Sequence, residues 1–174
     1  MTRIFGLAGW SGSGKTTLVT RLVPALLRKG VSVSTVKHAH HEFDIDQPGK
    51  DSHRHREAGA REVLISSSAR WALMHEHRGA DEPKLADLLR HMSPVDLVIV
   101  EGFKRESFPK LEVHRPALRK PLLYPDDPDI VALASDAALP RLPLPLLPLA
   151  DADAIAAFII EQCGIEAVHG AAER

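Results

Sequence analysis

An eight-residue run near the start of this 174-residue chain, Gly9-Trp10-Ser11-Gly12-Ser13-Gly14-Lys15-Thr16, limits its fold more than any other feature. Such a loop closes backbone N–H groups around phosphate oxygens, and it does so between a strand and a helix. Gly9 lets the chain leave the strand in a tight turn. Gly12 and Gly14 carry no Cβ, so the backbone can approach an anion closely. Lys15 supplies a point charge to the β- and γ-phosphates, and the Thr16 hydroxyl is suited to ligate Mg2+. Ser11, Ser13 and Thr17 belong to the same phosphate-facing turn. The helix that follows directs its positive end at the same anion. Ile4 to Ala8 is a short apolar run fit for a buried parallel strand. Thr17 to Lys29 reads as the helix, with Leu18, Leu22, Ala25 and Leu26 on one stripe and Gly30 as its stop. Pro24 lies inside that helix, where proline costs about 3 kcal/mol, so a kink is expected there.

Strand and helix signals alternate along the chain, which predicts an α/β fold with a mainly parallel central sheet flanked by helices, the three-layer P-loop NTPase architecture. Val31 to Val36 alternates with period two and reads as a strand. A polar loop, residues 37–50, follows. Asp51 or Ser52 is expected to cap a short helix ending near Gly59. Glu62 to Ser66 and Trp71 to His75 read as two strands around a Ser67-Ser68 turn, and Glu82 to Met92 as a helix. Leu97 to Val100 is a central strand. Leu111 to His114 is shorter and alternating, hence expected near an edge. Prolines crowd the chain from Pro116 to Pro148, so most of that stretch is expected to be loop or edge, with Ile130 to Ala134 its one clean strand. Asp153 to Cys163 is the final helix. Residues 1–164 are expected to form one nucleotide-binding domain and residues 165–174 a loose tail.

A formal net charge of −1 gives no basis for a nucleic-acid surface. No stretch approaches a membrane span, and no apolar signal segment opens the sequence, so a cytoplasmic protein is expected. The single cysteine, Cys163, excludes an internal disulfide and reads as a small buried hydrophobe.

A P-loop needs an acid at the carboxyl end of a neighbouring strand to hold the metal's water shell. The strand from Asp96 to Gly102 has an acid at each end, Asp96 and Glu101, roughly 16 Å apart at ~3.3 Å per residue. Ligands of open α/β sheets sit beyond the carboxyl ends, which selects Glu101 for the Mg2+ side. The loop after the second strand carries Asp44 and Asp46, either solvated acids or groups that orient an attacking water, with Asp46 the candidate catalytic residue. His38, His40, His41, His53 and His55 admit a transition-metal site, though spacing alone does not require one. Arg54, Arg56 and Arg61 suit either an anionic ligand or a solvated helix face. Asp136 follows a late strand, where a carboxylate either reads a guanine edge or caps a turn. At this level the two remain equal.

These residues together resemble one family. The P-loop with Thr17, Lys37-His38-Ala39-His40-His41, residues 44–52, Ala58-Gly59-Ala60, Arg70-Trp71-Ala72-Leu73-Met74, Val100-Glu101-Gly102-Phe103-Lys104 and Ala134-Ser135-Asp136 are similar to the molybdopterin-guanine dinucleotide biosynthesis protein B (MobB) family. The likeness runs from about Ile4 to Cys163. It implies a GTP-binding P-loop protein with at most slow Mg2+-dependent GTPase activity. It further implies a homodimer that assists the molybdopterin guanylyltransferase, the enzyme that attaches GMP to molybdopterin. Neither Trp10 nor Ser11 is the additional lysine of dimeric ATPases with a variant P-loop, so activation by a lysine in trans is not supported. Two other functions fit the same loop: a small-molecule kinase with residues 54–61 as a lid, and a scaffold that binds nucleotide without hydrolysing it.

Overall fold

The computed structural model describes residues 2–39, 43–103 and 106–166. In chain order the elements are β1 (Arg3–Ala8), α1 (Lys15–Arg28), β2 (Val33–Lys37), α2 (Asp51–Glu57), β3 (Glu62–Ser66), β4 (Trp71–His75), α3 (Leu85–Leu89), β5 (Leu97–Glu101), β6 (Lys110–His114), β7 (Ile130–Ser135), β8 (Leu146–Pro148) and α4 (Ala152–Cys163). They fall into two compact units, residues 1–38 with 93–174, and residues 39–92.

The first unit is built on a six-stranded sheet in the order β2-β5-β1-β6-β7-β8. Every neighbouring pair is parallel. Strands buried on both faces need continuous apolar runs, and Leu97 to Val100 of β5 are all buried. Helices α1 and α4 pack against each other and against this sheet. Leu18, Leu22, Ala25 and Leu26 form the buried stripe of α1, as their spacing requires. The helix runs through Pro24, which lies on its exposed side, where water reaches a carbonyl that has lost its N–H partner. Helix α4 starts at Asp151, whose carboxylate accepts the Ala154 N–H at 2.9 Å, and ends at left-handed Gly164. Cys163 is partly buried against the core, and that burial pushes its thiol pKa up.

Strand β6 corrects the sequence-based expectation. It lies inside the sheet between β1 and β7, and all five of its residues are buried. Its alternating polar residues suggested a half-exposed edge, but Lys110 and Glu112 find partners in the chain that follows, and His114 lies 4.0 Å from Glu112. Lys110 pairs with Asp127 at 3.0 Å and Asp129 at 3.4 Å. Glu112 is 0% exposed, and its two carboxylate oxygens accept the backbone N–H groups of Leu123 at 2.9 Å and Tyr124 at 3.0 Å. The edges of the sheet are β2 and β8, and β8 lies in the proline-rich stretch expected to be loop or edge. Its Pro148 ends the strand at the sheet margin, where a missing N–H costs least.

The second unit holds α2, the antiparallel hairpin β3–β4 and α3. The hairpin pairs Glu62 with His75 and Ser66 with Trp71, and Ser67 Oγ accepts from the turn N–H groups of Ala69 and Arg70. Helix α3 is shorter than the expected Glu82 to Met92. Pro83 keeps its predecessor out of helical geometry, and the last turn tightens through His91 N–H to Leu88 O and Met92 N–H to Leu89 O. Neither Asp51 nor Ser52 caps α2: the cap position is Lys50, and the Ser52 hydroxyl donates to Asp46 Oδ1 instead.

Two stability outcomes follow from the first unit. Glu112→Ala leaves two backbone N–H groups without their acceptor and should destabilise the protein by about 3 kcal/mol in urea unfolding. Glu112→Gln, which keeps the shape and one acceptor oxygen, should cost clearly less. An effect below about 0.5 kcal/mol for the alanine variant would mean that the carboxylate does not hold the following loop. At the amino end of β5, Asp96 accepts Ser32 Oγ–H and Ser32 N–H, and these bonds hold its carboxyl pKa below the ordinary value. A depressed carboxylate stabilises the fold above its unfolded pKa of about 3.9 and loses that contribution as pH falls through the folded value. The melting-temperature gap between wild type and Asp96→Asn should therefore be flat above about pH 5 and close in acid. A gap that widens in acid would contradict the assignment.

Candidate nucleotide site

The P-loop leaves the carboxyl end of β1 and enters α1 through Gly14, which sits at left-handed φ 100° as the helix N-cap. Gly9 has φ 142°, and a Cβ there would fall 2.6 Å from the Val113 carbonyl oxygen of β6 and 2.8 Å from Ser13 Oγ. Only glycine meets both demands. Across the turn, Ser13 N–H donates to Trp10 O at 3.1 Å. Lys15 Nζ donates to the carbonyls of Gly9 at 2.8 Å and Trp10 at 3.0 Å, so its charge is held over the loop. The Ser13 hydroxyl is buried with no hydrogen-bond partner among the described residues. Thr16 and Thr17 lie exposed on the first turn of α1. A helix start, a lysine above it and an orphaned hydroxyl within the turn fit a polyphosphate.

The loop is also held from outside, by chain about a hundred residues later. The segment from Arg115 to Tyr124 runs from the end of β6 past the P-loop. Arg115 Nε donates to Ser13 O at 3.1 Å. A Cβ on Gly12 would meet Leu118 at 4.0 Å. Trp10 Nε1–H donates to Pro121 O at 2.8 Å, and Lys120 Nζ lies 5.4 Å from the centre of the Trp10 ring. The far end of the segment is fixed by Glu112 through Leu123 and Tyr124. Neither Arg115 nor Glu112 was singled out by motif. Glu112 is the middle residue of β6 and Arg115 the first residue after it, and only the strand order places them beside β1.

Glu101 ends β5, the strand on the other side of β1, in register with Leu7 and with Lys37 of β2. It therefore stands at the same end of the sheet as the P-loop. Gly102 follows at φ 99°, where a Cβ would lie 2.5 Å from His38 Cβ. The bend is closed by His38 N–H donating to Glu101 O at 2.8 Å. Asp96 is at the opposite end of β5, committed to Ser32. Asp136 follows β7, two strands from β1 and hence about 10 Å to the side at ~4.8 Å per strand. Its Oδ2 lies 3.7 Å from Arg115 Nη1.

The second unit gathers its acids on one arginine. The Arg56 guanidinium meets Asp44 at 2.7 Å, Asp46 at 3.3 Å and Glu76 at 3.1 Å. Asp46 also accepts Gln47 N–H at 2.9 Å and the Ser52 hydroxyl at 2.8 Å, and its side chain is 4% exposed. The Asp46 backbone N–H and the Arg56 guanidinium hold the Asp44 carboxyl pKa below its usual value. Arg56 thus serves the acids of its own unit, while Arg54 and Arg61 make no ion pair among the described residues. Among the described residues no group of three His, Cys, Asp or Glu side chains is placed to hold a metal ion; His40 and His41 lie outside them.

Comparison with known proteins bears on the family and the fold. The family described as molybdopterin guanine dinucleotide synthesis protein B, MobB, matches residues 4–136. The chain is 41% identical to the molybdopterin-guanine dinucleotide biosynthesis adapter protein of Escherichia coli over 92% of its own length and 93% of the relative's. It is 43% identical to the protein of that description from Haemophilus influenzae, over 68% and 67% of the two chains. Among solved structures, a molybdopterin-guanine biosynthesis protein B superposes with TM-score 0.71 at 27% identity, covering 91% of this chain and 99% of the other. A MobB homologue from Bacillus stearothermophilus gives TM-score 0.67 at 25% identity, over 94% and 99%.

The Gly9 geometry yields a direct test. Gly9→Ala forces a methyl onto the Val113 carbonyl at a glycine-only φ, a strain of about 1–3 kcal/mol before any clash is relieved. Calorimetric unfolding should show a loss of that order, and binding of a nucleoside triphosphate should weaken at least about tenfold. Unchanged stability and affinity would mean that the loop is softer than its contacts indicate.

Proposed function

Because the chain belongs to the MobB family, we propose that it acts as an adapter in molybdopterin-guanine dinucleotide biosynthesis and that it binds GTP through the P-loop. The observation that carries the nucleotide reading is the arrangement along one end of the sheet. The loop and Lys15 follow the carboxyl end of β1, Glu101 ends the neighbouring strand to one side, and Asp136 follows the strand two places to the other. In this reading Gly9 to Thr17 hold the phosphates, and Asp136 accepts from the guanine edge. Thr16 and Glu101 would hold Mg2+ and its water shell. The metal would supply charge neutralisation at the phosphate oxygens.

Hydrolysis on this reading is slow. An arginine that meets a transferring phosphoryl group is worth about 10³–10⁵ in rate. Arg115, the arginine against the loop, donates to the Ser13 carbonyl and faces Asp136. Asp46, proposed to orient water, must first leave Arg56 and Ser52. We infer further a cytoplasmic homodimer that works with the molybdopterin guanylyltransferase and its molybdopterin substrate, as the family likeness suggests.

The test is a titration of GTP and ATP with and without Mg2+. Lys15→Ala should weaken both nucleotides alike, by roughly 100-fold, because it removes a charge-assisted contact. Glu101→Gln should abolish the Mg2+ dependence while Asp96→Asn leaves it intact. Asp136→Asn should lower GTP affinity and erode the preference over ATP, since an amide presents a donor to guanine's own donors. No nucleotide binding by the wild type would sink the nucleotide reading; an unchanged GTP-to-ATP ratio in Asp136→Asn would remove that residue from base selection.

A further inference from the structure

One guanidinium joins the two ends of the candidate site. Arg115 Nε is hydrogen-bonded to Ser13 O in the P-loop at 3.1 Å, and its Nη1 lies 3.7 Å from Asp136 Oδ2. The plane rests against the start of α1, so that a Cβ on Gly14 would come within 3.3 to 3.7 Å of its atoms. Topology explains the placement. Strand β6 lies between β1 and β7, with His114 paired to Ser135, so the residues just beyond, Arg115 and Asp136, emerge side by side. A planar fork with donors at both ends can span that gap; a single ammonium cannot.

Stability does not account for the contact. Both side chains are roughly two-fifths exposed, at 41% and 44%, and an ion pair in that setting adds little to folding. The backbone beneath Arg115 is nevertheless fixed with care. Its carbonyl accepts Leu118 N–H at 3.0 Å, and Glu112 anchors the other end of the segment from inside the sheet. A partly exposed side chain on a rigid mount, aimed at two functional groups, fits a role in their relative placement.

We propose that Arg115 is a positioning residue for base selection: it fixes the Asp136 carboxylate relative to the P-loop, so that phosphate docking and base reading act as one unit. The inference rests on the nucleotide reading above and adds a residue to it. Losing the Arg115 side chain leaves the loop its Trp10–Pro121 bond and the Lys15 bonds to Gly9 O and Trp10 O, so phosphate binding persists, whereas discrimination between guanine and adenine depends on the bridge. Loss of the bridge frees the carboxylate to rotate into water and lowers the penalty for the wrong base.

The experiment compares full-length wild type, Arg115→Ala, Arg115→Lys, Asp136→Asn and the double variant Arg115→Ala/Asp136→Asn. Each is titrated with GTP, ATP and inorganic tripolyphosphate, after thermal unfolding has confirmed that it folds. Arg115→Ala should reduce the GTP-to-ATP preference by about tenfold and change tripolyphosphate affinity by less than about twofold. Arg115→Lys, which keeps charge but not the two-ended reach, should lose the preference as well. Adding Arg115→Ala to Asp136→Asn should change the ratio no further, because both act through one carboxylate. Three results would overturn the proposal: equal weakening of all three ligands by Arg115→Ala, full preference in Arg115→Lys, or additive losses in the double variant. If the wild type binds neither tripolyphosphate nor nucleotide, the underlying nucleotide reading fails instead, and the two failures are told apart by that control.

Discussion

A carboxylate at the centre of a sheet must find donors or lose its charge, because removing an isolated ion from water costs several kcal/mol. Glu112 meets this demand by drawing two backbone N–H groups of Leu123 and Tyr124 down onto β6. Satisfying the charge therefore shapes the chain that follows. The segment from Arg115 to Tyr124 cannot drift away from the sheet, and its path carries Arg115, Leu118 and Pro121 onto the P-loop. Lys110 does the same for the later part of this connection through Asp127 and Asp129. Lys110 and Glu112 of β6 are thus the fasteners of the chain that braces the loop.

Much of this was legible in the residues themselves. The P-loop dictated a strand before it and a helix after it, and β1 and α1 follow that order. Strand direction alone separated Glu101 from Asp96, since a parallel strand presents only one end to a ligand. The hairpin β3–β4 appeared where its alternation placed it, because a tight turn and local pairing need no distant information. Two readings missed for related reasons. Alternating polarity in β6 looked like exposure, and only the tertiary partners 11 to 19 residues away reveal that the charges are buried and paired. Arg115 escaped notice for a related reason: its significance comes from the neighbours that the strand order gives it, and strand order is invisible to motif and periodicity. In β8 and α3 proline set the limits, confining one to a short edge strand and trimming the other.

The second compact unit organises its charges differently. Three carboxylates converge on Arg56, and the buried one, Asp46, is also bonded to the start of α2. Such a cluster holds a loop by many modest contacts at once, and its acids gain their order from one another. A carboxylate tied up in this way is poised by its network and becomes available to other chemistry only when that network opens.

The P-loop looks like the most local of motifs, eight consecutive residues between adjacent elements. Its hydrogen bonds tell another story, since Arg115 and Pro121 reach it across sequence separations of 102 and 111 residues. During synthesis the amino-terminal strand and helix leave the ribosome long before the chain that braces them, at roughly 5–20 residues per second. The nascent protein accordingly spends several seconds with its phosphate loop translated but unsupported. Maturation of the site is set by the last third of the molecule, so a truncated product that retains every residue of the motif still lacks a finished binding loop.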